Sequence, residues 1–255
     1  MPRNPPGAAK KRVDVLLVER GLAPTRAKAQ AFILGGIVFS GERKIDKAGT
    51  LLAAETPLRV RKPEHEWVSR GGLKLAHGLD YFGIETNGLT VLDIGASTGG
   101  FTDVLLSRGA RRVFAVDVGH GQLAWKLRQD ERVVVLERTN ARSLSREQVP
   151  EPIDLIVCDA SFIGLRTVLP QPLTLAADQA HLIALIKPQF EVGKAHVGKG
   201  GVVREPELHE QVCELIRDWL TKLAGWRVLG VTPSPILGPK GNKEFLIAAR
   251  YDRND

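Results

Sequence analysis

The 255-residue chain has little cysteine: two residues, Cys158 and Cys213. Cys158 sits inside an apolar run and Cys213 inside a helical pattern. A disulfide framework is therefore not expected, and a reducing, cytoplasmic compartment is. No apolar run reaches the roughly eighteen residues that a membrane-spanning helix needs. The basic start lacks the apolar h-region of a secretory signal. No second His or Cys stands at ligand spacing from His196, so no metal is expected. The pattern G-x-x-x-x-G-K-[ST] is missing, which excludes an ATP P-loop. No internal repeat appears, which excludes a solenoid. What remains is an ordinary globular mixture, 43% apolar and 25% charged, long enough for one large domain or a medium domain and a small one.

The charge is uneven. Residues 1–70 hold 14 Lys and Arg against 7 Asp and Glu, whereas residues 71–255 hold 22 of each. The whole basic excess lies in the first quarter, which suggests a module for a polyanion attached to a neutral body. Residues 1–11 read as a disordered basic tail. Residues 12–62 read as a small α+β module. A helix over 12–20 stops at Gly21, and a second, with Thr25 as N-cap, ends at Gly35-Gly36. Short strands follow at 37–39 and 58–60, with Ser40-Gly41 as a turn. Residues 63–70 read as a polar linker.

From residue 71 strands and helices alternate. Strand-like runs fall at 90–94, 113–117, 133–136, 153–158 and 181–187, and two more at 227–231 and 244–250 close the chain. Residues 205–224 form the clearest helix, with Pro206 in its first turn and a core-facing stripe of Leu208, Val212, Leu215, Ile216, Trp219 and Leu223. The fold class expected is α/β: a Rossmann-like, mostly parallel sheet covered on both faces. Its last strand is antiparallel, because no helix joins the final two.

The first of these strands runs into Asp93-Ile-Gly-Ala-Ser-Thr-Gly-Gly-Phe101 and then a helix. Glycines let backbone approach a ligand closely, and the amides of a helix start face it. Asp117 follows at the end of the second strand, where a carboxylate can accept hydrogen bonds from both hydroxyls of a ribose. An adenosine-containing ligand fits. A dinucleotide site wants G-x-G-x-x-G, but Ser97 stands where its second glycine belongs. Asp93 suits the charged amino-acid part of S-adenosylmethionine better than a pyrophosphate. The bland alternative is a helix–sheet packing turn without a ligand. The candidate donor contacts are Asp93, Gly95, Ser97, Thr98, Gly99, Gly100, Phe101, Asp117, Asn140 and Asp159.

Ligands of open parallel sheets sit at the carboxyl ends of the strands. Strand four ends at Cys158-Asp159 and strand five at Lys187. An antiparallel last strand begins at the same edge with Glu244, and Lys74 can reach it from a preceding helix. Lys74, Asp159, Lys187 and Glu244 are the candidate catalytic residues. One lysine can take the proton from a hydroxyl that attacks a sulfonium methyl. The other can orient the oxygen, and the carboxylates can hold both lysines. Each residue alone could be a surface ion pair. Amino-group methylation commonly uses Asn/Asp-Pro-Pro-aromatic, and here the slot reads Asp159-Ala-Ser-Phe162. Carbon methylation of pyrimidines needs a nucleophilic cysteine, but Cys158 reads as inert packing.

These segments resemble a known family. Ser69-Arg-Gly-Gly-Leu-Lys74, Asp93-Ile-Gly-Ala-Ser-Thr-Gly-Gly-Phe101, Cys158-Asp-Ala-Ser-Phe162, Leu185-Ile-Lys-Pro-Gln-Phe-Glu191 and Gly241-Asn-Lys-Glu-Phe245 look like the TlyA family. Its members join an S4 RNA-binding domain to an FtsJ-like methyltransferase domain, here 12–62 and 71–255. The first module resembles S4 at Arg12-Val-Asp-Val-Leu16, Thr25-Arg-Ala-Lys-Ala29 and Gly35-Gly-Ile-Val-Phe-Ser-Gly41. The resemblance implies S-adenosylmethionine as donor and ribose 2′-O-methylation of ribosomal RNA, at cytidine in 16S and/or 23S RNA. It also implies a Lys-Asp-Lys-Glu tetrad, which matches the four residues found from the strand ends.

The expected partner is ribosomal RNA or a ribosomal subunit. Candidate phosphate contacts are Arg12, Arg26, Lys28, Arg43, Lys44 and Lys47, which would position RNA without reading its sequence. The loop Gly193-Lys-Ala-His-Val-Gly-Lys-Gly-Gly201 either closes over substrate or is a plain surface loop. Two rival readings stay open. One is a non-catalytic RNA-binding or ribosome assembly factor. The other is the membrane-active protein suggested by the family's hemolysin label, for which no spanning segment or basic amphipathic helix speaks.

Overall fold

The computed structural model describes residues 10–34, 36–60, 66–193, 196–198 and 200–254. The chain divides into two units, Met1–Glu66 and Trp67–Asp255. Most of the expected tail, residues 1–9, lies outside the described residues, as do residues 63–65 of the linker and Lys194, Ala195 and Lys199 of the glycine-rich loop.

The first unit is built on two helices. Strand β1 (Lys10–Arg12) leads into α1 (Val13–Glu19), and α2 (Arg26–Leu34) follows. The Thr25 hydroxyl accepts from the Lys28 backbone N–H at 3.2 Å, so the expected N-cap is formed. Strands β2 (Val38–Ser40), β3 (Arg43–Lys44) and β5 (Arg59–Val60) pair in the order β3-β2-β5, and β4 (Leu51–Ala53) pairs with β1. Lys10 and Lys11, expected in the tail, are strand residues paired with Ala53 and Leu52. The core of this unit is Val13, Leu17, Ala23, Ala29, Ile33, Val38 and Ile45.

The second unit begins with α3 (Gly71–Phe82). Strand β6 (Thr90–Ile94), α4 (Gly100–Ser107), β7 (Arg112–Val116), α5 (Trp125–Arg128) and β8 (Val133–Leu136) follow. Then come β9 (Ile153–Cys158), α6 (Leu165–Val168), α7 (Pro170–Leu173), β10 (Ala176–Ile186), α8 (Pro188–Glu191), α9 (Pro206–Thr221), β11 (Trp226–Pro233) and β12 (Phe245–Asp252). The sheet order is β11-β12-β10-β9-β6-β7-β8. Only β12 runs against its neighbours, pairing antiparallel with β10 and with β11. The sheet is thus mostly parallel with its last strand reversed, as expected.

From β6 the chain winds outward to β8, then returns to the other side of β6 for β9 and β10. The crevice at this reversal, beyond the carboxyl ends of β6 and β9, is where open sheets bind ligands. Strand pleating sends Leu92 and Ile94 to one apolar layer with Val212, Ile216 and Leu220 of α9. Val91 goes to the opposite layer with Leu75 and Leu79 of α3 and Val104 and Leu105 of α4. Trp67 and Val68, expected in a linker, pack on that second layer. Helix α9 has Pro206 in its first turn, but Leu215 of the expected stripe is 39% exposed. His209, Cys213 and Leu220 join Val212 and Ile216 on the buried face, because the buried arc follows i, i+4, i+7, i+11 from His209.

Candidate active site

The turn after β6 depends on two close approaches. Gly95 has φ +80°, and a Cβ there would lie 3.0 Å from the backbone of Ala160. A Cβ on Gly100 would lie 2.3 Å from Ser69 Oγ and 3.0 Å from the backbone N of Gly72. The absence of these side chains lets the β6 turn touch the end of β9 and lets the start of α3 press on the start of α4. That second contact fixes the helix that carries Lys74.

The four strand-end residues are brought together. Lys74 Nζ meets Glu244 Oε2 at 2.5 Å and Asp159 Oδ2 at 3.9 Å. Lys187 Nζ meets Asp159 Oδ1 at 2.5 Å. It also donates to the Asp159 carbonyl at 3.1 Å and to Ser161 Oγ at 2.9 Å. Lys74 and Lys187 are each 5% exposed and Glu244 2%. Two cations and two carboxylates thus form a chain, Lys187–Asp159–Lys74–Glu244, that is neutral when all are ionised. Ser161 was not among the expected site residues. Its neighbour Phe162 takes φ +67°, is 90% exposed, and places its ring 5.3 Å from that of Phe190. Such strain in a non-glycine residue marks functional loops.

Two cavities adjoin this chain and share Gly95, Ser97, Asp159 and Ser161. The smaller, about 220 Å³, is lined by Lys74 and Lys187 together with Ser69, Thr98, Gly100 and Phe101. The larger, about 530 Å³, is lined by Asp117, Gly119, Asn140 and Ile163 among others. Asp117 accepts from the backbone N–H groups of Ser97 at 2.8 Å and Gly119 at 2.7 Å, which aims its carboxylate into the larger cavity's rim. Asn140 caps a 3-10 turn through Arg142 N at 3.1 Å. Phe101 reaches the smaller cavity with its ring mostly buried in the core, 3% exposed. Gly99 lines neither cavity, and its φ of +95° ends the turn before α4. An open depression of about 750 Å³, formed by residues 217–230, lies away from these strand ends.

Asp93 departs from expectation. It is fully buried and lines neither cavity, because the β6 pleat turns it toward α4. There it accepts from Thr102 Oγ1 at 2.6 Å. Burial pushes its carboxyl up to about 7. Cys158 is buried in the core and its thiol is pushed up to about 12, which suits packing and not nucleophilic attack. Among the described residues no cluster of three or more His, Cys, Asp or Glu is placed to hold a metal ion. No helix among them is long and apolar enough to cross a membrane.

In the first unit the six expected phosphate contacts do not behave alike. Arg12 and Arg26 converge on Asp14, a residue that sequence reasoning passed over although it stands two positions from Arg12. The Arg12 guanidinium holds the Asp14 carboxyl well below the usual carboxylate range. Lys28 lies over the Phe32 ring at 5.6 Å. Arg43, Lys44 and Lys47 are exposed on and after β3.

A parallel sheet in this order, a glycine turn after its first strand and an acid after its second define a class I methyltransferase. The two joined cavities, the close backbone at Gly95 and the Asp117 carboxylate fit an adenosine linked to an amino acid. The FtsJ-like methyltransferase family matches residues 67–251 and the S4 domain residues 11–56. The chain is 48% identical over 244 residues to the 16S/23S rRNA (cytidine-2′-O)-methyltransferase TlyA of Mycobacterium tuberculosis, covering 95% of this chain and 91% of the relative. It is 47% identical over 239 residues to YqxC of Bacillus subtilis, described as an rRNA methyltransferase, covering 93% and 85%. A solved structure from Streptococcus thermophilus, described as a hemolysin, superposes with a TM-score of 0.74 at 40% identity, covering 95% and 89%. The chain belongs to the TlyA family, and it is an S-adenosylmethionine-dependent methyltransferase.

Proposed function

We propose that this enzyme methylates the 2′-hydroxyl of a cytidine ribose in 16S and/or 23S ribosomal RNA. The observation that carries the reading is the Lys187–Asp159–Lys74–Glu244 chain, whose first three members line the smaller cavity while Glu244 braces Lys74 from behind. The names of the relatives support the substrate, and so does the basic first unit. Residues 12–62 act as the RNA-binding domain and residues 71–255 as the methyltransferase domain, working in the cytoplasm where ribosomes are.

S-adenosylmethionine supplies an electrophilic sulfonium methyl. Asp117 and Asn140 would hold its adenosine end, Gly95, Ser97, Thr98, Gly100 and Phe101 would hold its amino-acid end, and Asp159 lines both cavities. The hydroxyl must lose its proton as its oxygen attacks; Lys187 Nζ, once it has released its own proton to solvent and is a neutral amine, is the acceptor the charges favour. If Lys74 lost its proton, Glu244 would be left buried without a counter-ion, which costs about 3–5 kcal/mol. If Lys187 does so, Asp159 still faces Lys74 at 3.9 Å. Lys74, braced by Glu244, stays charged and stabilises the developing alkoxide. The exposed ring of Phe162 offers a face on which a base swung out of the RNA can stack.

Tritium transfer from labelled donor to ribosomal RNA or subunits tests this. The intact enzyme transfers label, and a Lys187→Ala variant transfers at least about 100-fold less, the usual range for a positioned base. Full transfer by that variant refutes the lysine mechanism.

A further inference from the structure

The first unit contains a charge arrangement that the methyl-transfer site does not use. Asp14 has a side chain with no exposed surface, yet its partners are surface arginines whose side chains are 44% and 57% exposed, Arg12 and Arg26. Arg12 grips it in a fork, Nε to Oδ1 at 3.0 Å and Nη2 to Oδ2 at 2.9 Å. Arg26 Nε donates to the same Oδ2 at 2.9 Å, and Gln30 Nε2 does so at 3.0 Å. The backbone holds Asp14 from the other side, through Val13 N to Thr50 O at 2.9 Å and Asp14 N to Ala48 O at 3.4 Å. The remaining face of Arg12 lies against Gly49, where a Cβ would stand 3.3 Å from Arg12 Nη1.

Surface arginines ordinarily sample many rotamers, and fixing one costs side-chain entropy. Here one buried carboxylate has already fixed two. Arg12 Nη2 and Arg26 Nε both touch Asp14 Oδ2, so they stand no farther apart than about 5.8 Å, the two contacts end to end. Two guanidiniums that close repel unless an anion lies between them, and Asp14 is that anion. The cluster keeps a net charge of +1. Among the described residues, Nη1 of Arg12 and both Nη atoms of Arg26 have no hydrogen-bond partner in the protein. Planar, pre-aimed donors on half-exposed side chains are what a phosphate oxygen binds best.

We propose that Asp14 is a positioning residue for RNA: it holds Arg12 and Arg26 as a paired guanidinium clamp for a backbone phosphate. The proposal rests on the reading that this unit binds RNA. It makes a prediction opposite in sign to that of simple electrostatics. Removing a negative charge from an RNA-binding surface should tighten binding, whereas loss of the clamp should loosen it.

The test is filter binding of the full-length protein to in vitro transcribed 16S and 23S ribosomal RNA over a salt series. Asp14→Asn should bind about tenfold more weakly although its net charge rises by one, consistent with one lost charge-assisted contact. Its donor affinity by calorimetry should equal the parent's, a control for folding of the second unit. Should Asp14→Asn unfold the first unit, Arg12→Lys/Arg26→Lys keeps both charges and loses the fork. It should bind several-fold more weakly with an unchanged slope of log affinity against log salt, because the number of charges is the same. Asp14→Asn binding as tightly as the parent or more tightly overturns the proposal, and so does a lysine pair that matches the parent. If Arg12→Ala/Arg26→Ala also binds like the parent, the RNA reading of these residues falls with it. If that alanine pair is weak while Asp14→Asn is not, only the positioning role falls.

Discussion

Replacing Glu244 by glutamine separates the two jobs of the Lys–Asp–Lys–Glu chain. The Glu244 side chain has no exposed surface and that of Lys74 is 7% exposed, so water cannot replace either partner. Removing one charge of a buried pair costs about 3–5 kcal/mol, because the other is left without compensation. Asp159 remains 3.9 Å from Lys74 and recovers part of this, which places the loss near the lower end, about 3 kcal/mol. For a chain of this size each kcal/mol moves the melting temperature by roughly 2–4 °C, so the drop should be roughly 6–12 °C. Calorimetric melting of parent and variant measures it. The double variant Lys74→Met/Glu244→Gln removes both charges and should regain more than half of the lost stability, since an apolar side chain tolerates that site. It should still fail to transfer methyl groups, because Lys74 is gone. A Glu244→Gln midpoint within about 2 °C of the parent, or a double variant that methylates RNA, would refute the reasoning.

Two further outcomes follow from the donor side. Asp93 has its carboxyl raised to about 7 by burial, so the stability it contributes is fully present below pH 4 and is lost as the pH rises through about 7. Relative to an Asp93→Asn variant, the parent should lose stability between pH 4 and 7 at a rate on the order of 1.4 kcal/mol per pH unit, read by urea unfolding at each pH; parallel curves would contradict this. Asp117→Ala should weaken S-adenosylmethionine binding in calorimetry by about tenfold or more, the worth of a hydrogen bond to a charged group, while a full-affinity variant would remove Asp117 from the site.

The tetrad was legible in the sequence because it depends on long-range order that strong signals set. Five β-branched runs define the parallel strands, and their carboxyl ends then name Asp159 and Lys187 without side-chain detail. Glu244 followed from the reversed last strand. Lys74 needed only a helix before β6. What escaped had no periodic signal. The two- and three-residue strands β1, β3 and β4 are too short for alternation to show, and Lys10 and Lys11 were accordingly read as tail. Helices α5 to α8 have four residues each, about one turn, too few for an apolar stripe. Asp93 was correctly placed beside the turn, but which face of β6 it occupies is set by pleat and not by motif. Ser161 and Asp14 act through partners 26 and 12 residues away, and no local pattern records such a contact.

The central claim is that this chain of lysines and carboxylates moves a methyl group onto ribose oxygen in ribosomal RNA. Mass-spectrometric mapping of 2′-O-methylated nucleotides, in ribosomal RNA treated with the parent enzyme or with Lys187→Ala, tests it most directly. Methylated cytidine is expected at defined positions with the parent, and at least about 100-fold less of it with the variant. Methyl groups on base nitrogen or carbon, or ribose methylation undiminished in Lys187→Ala, would contradict this.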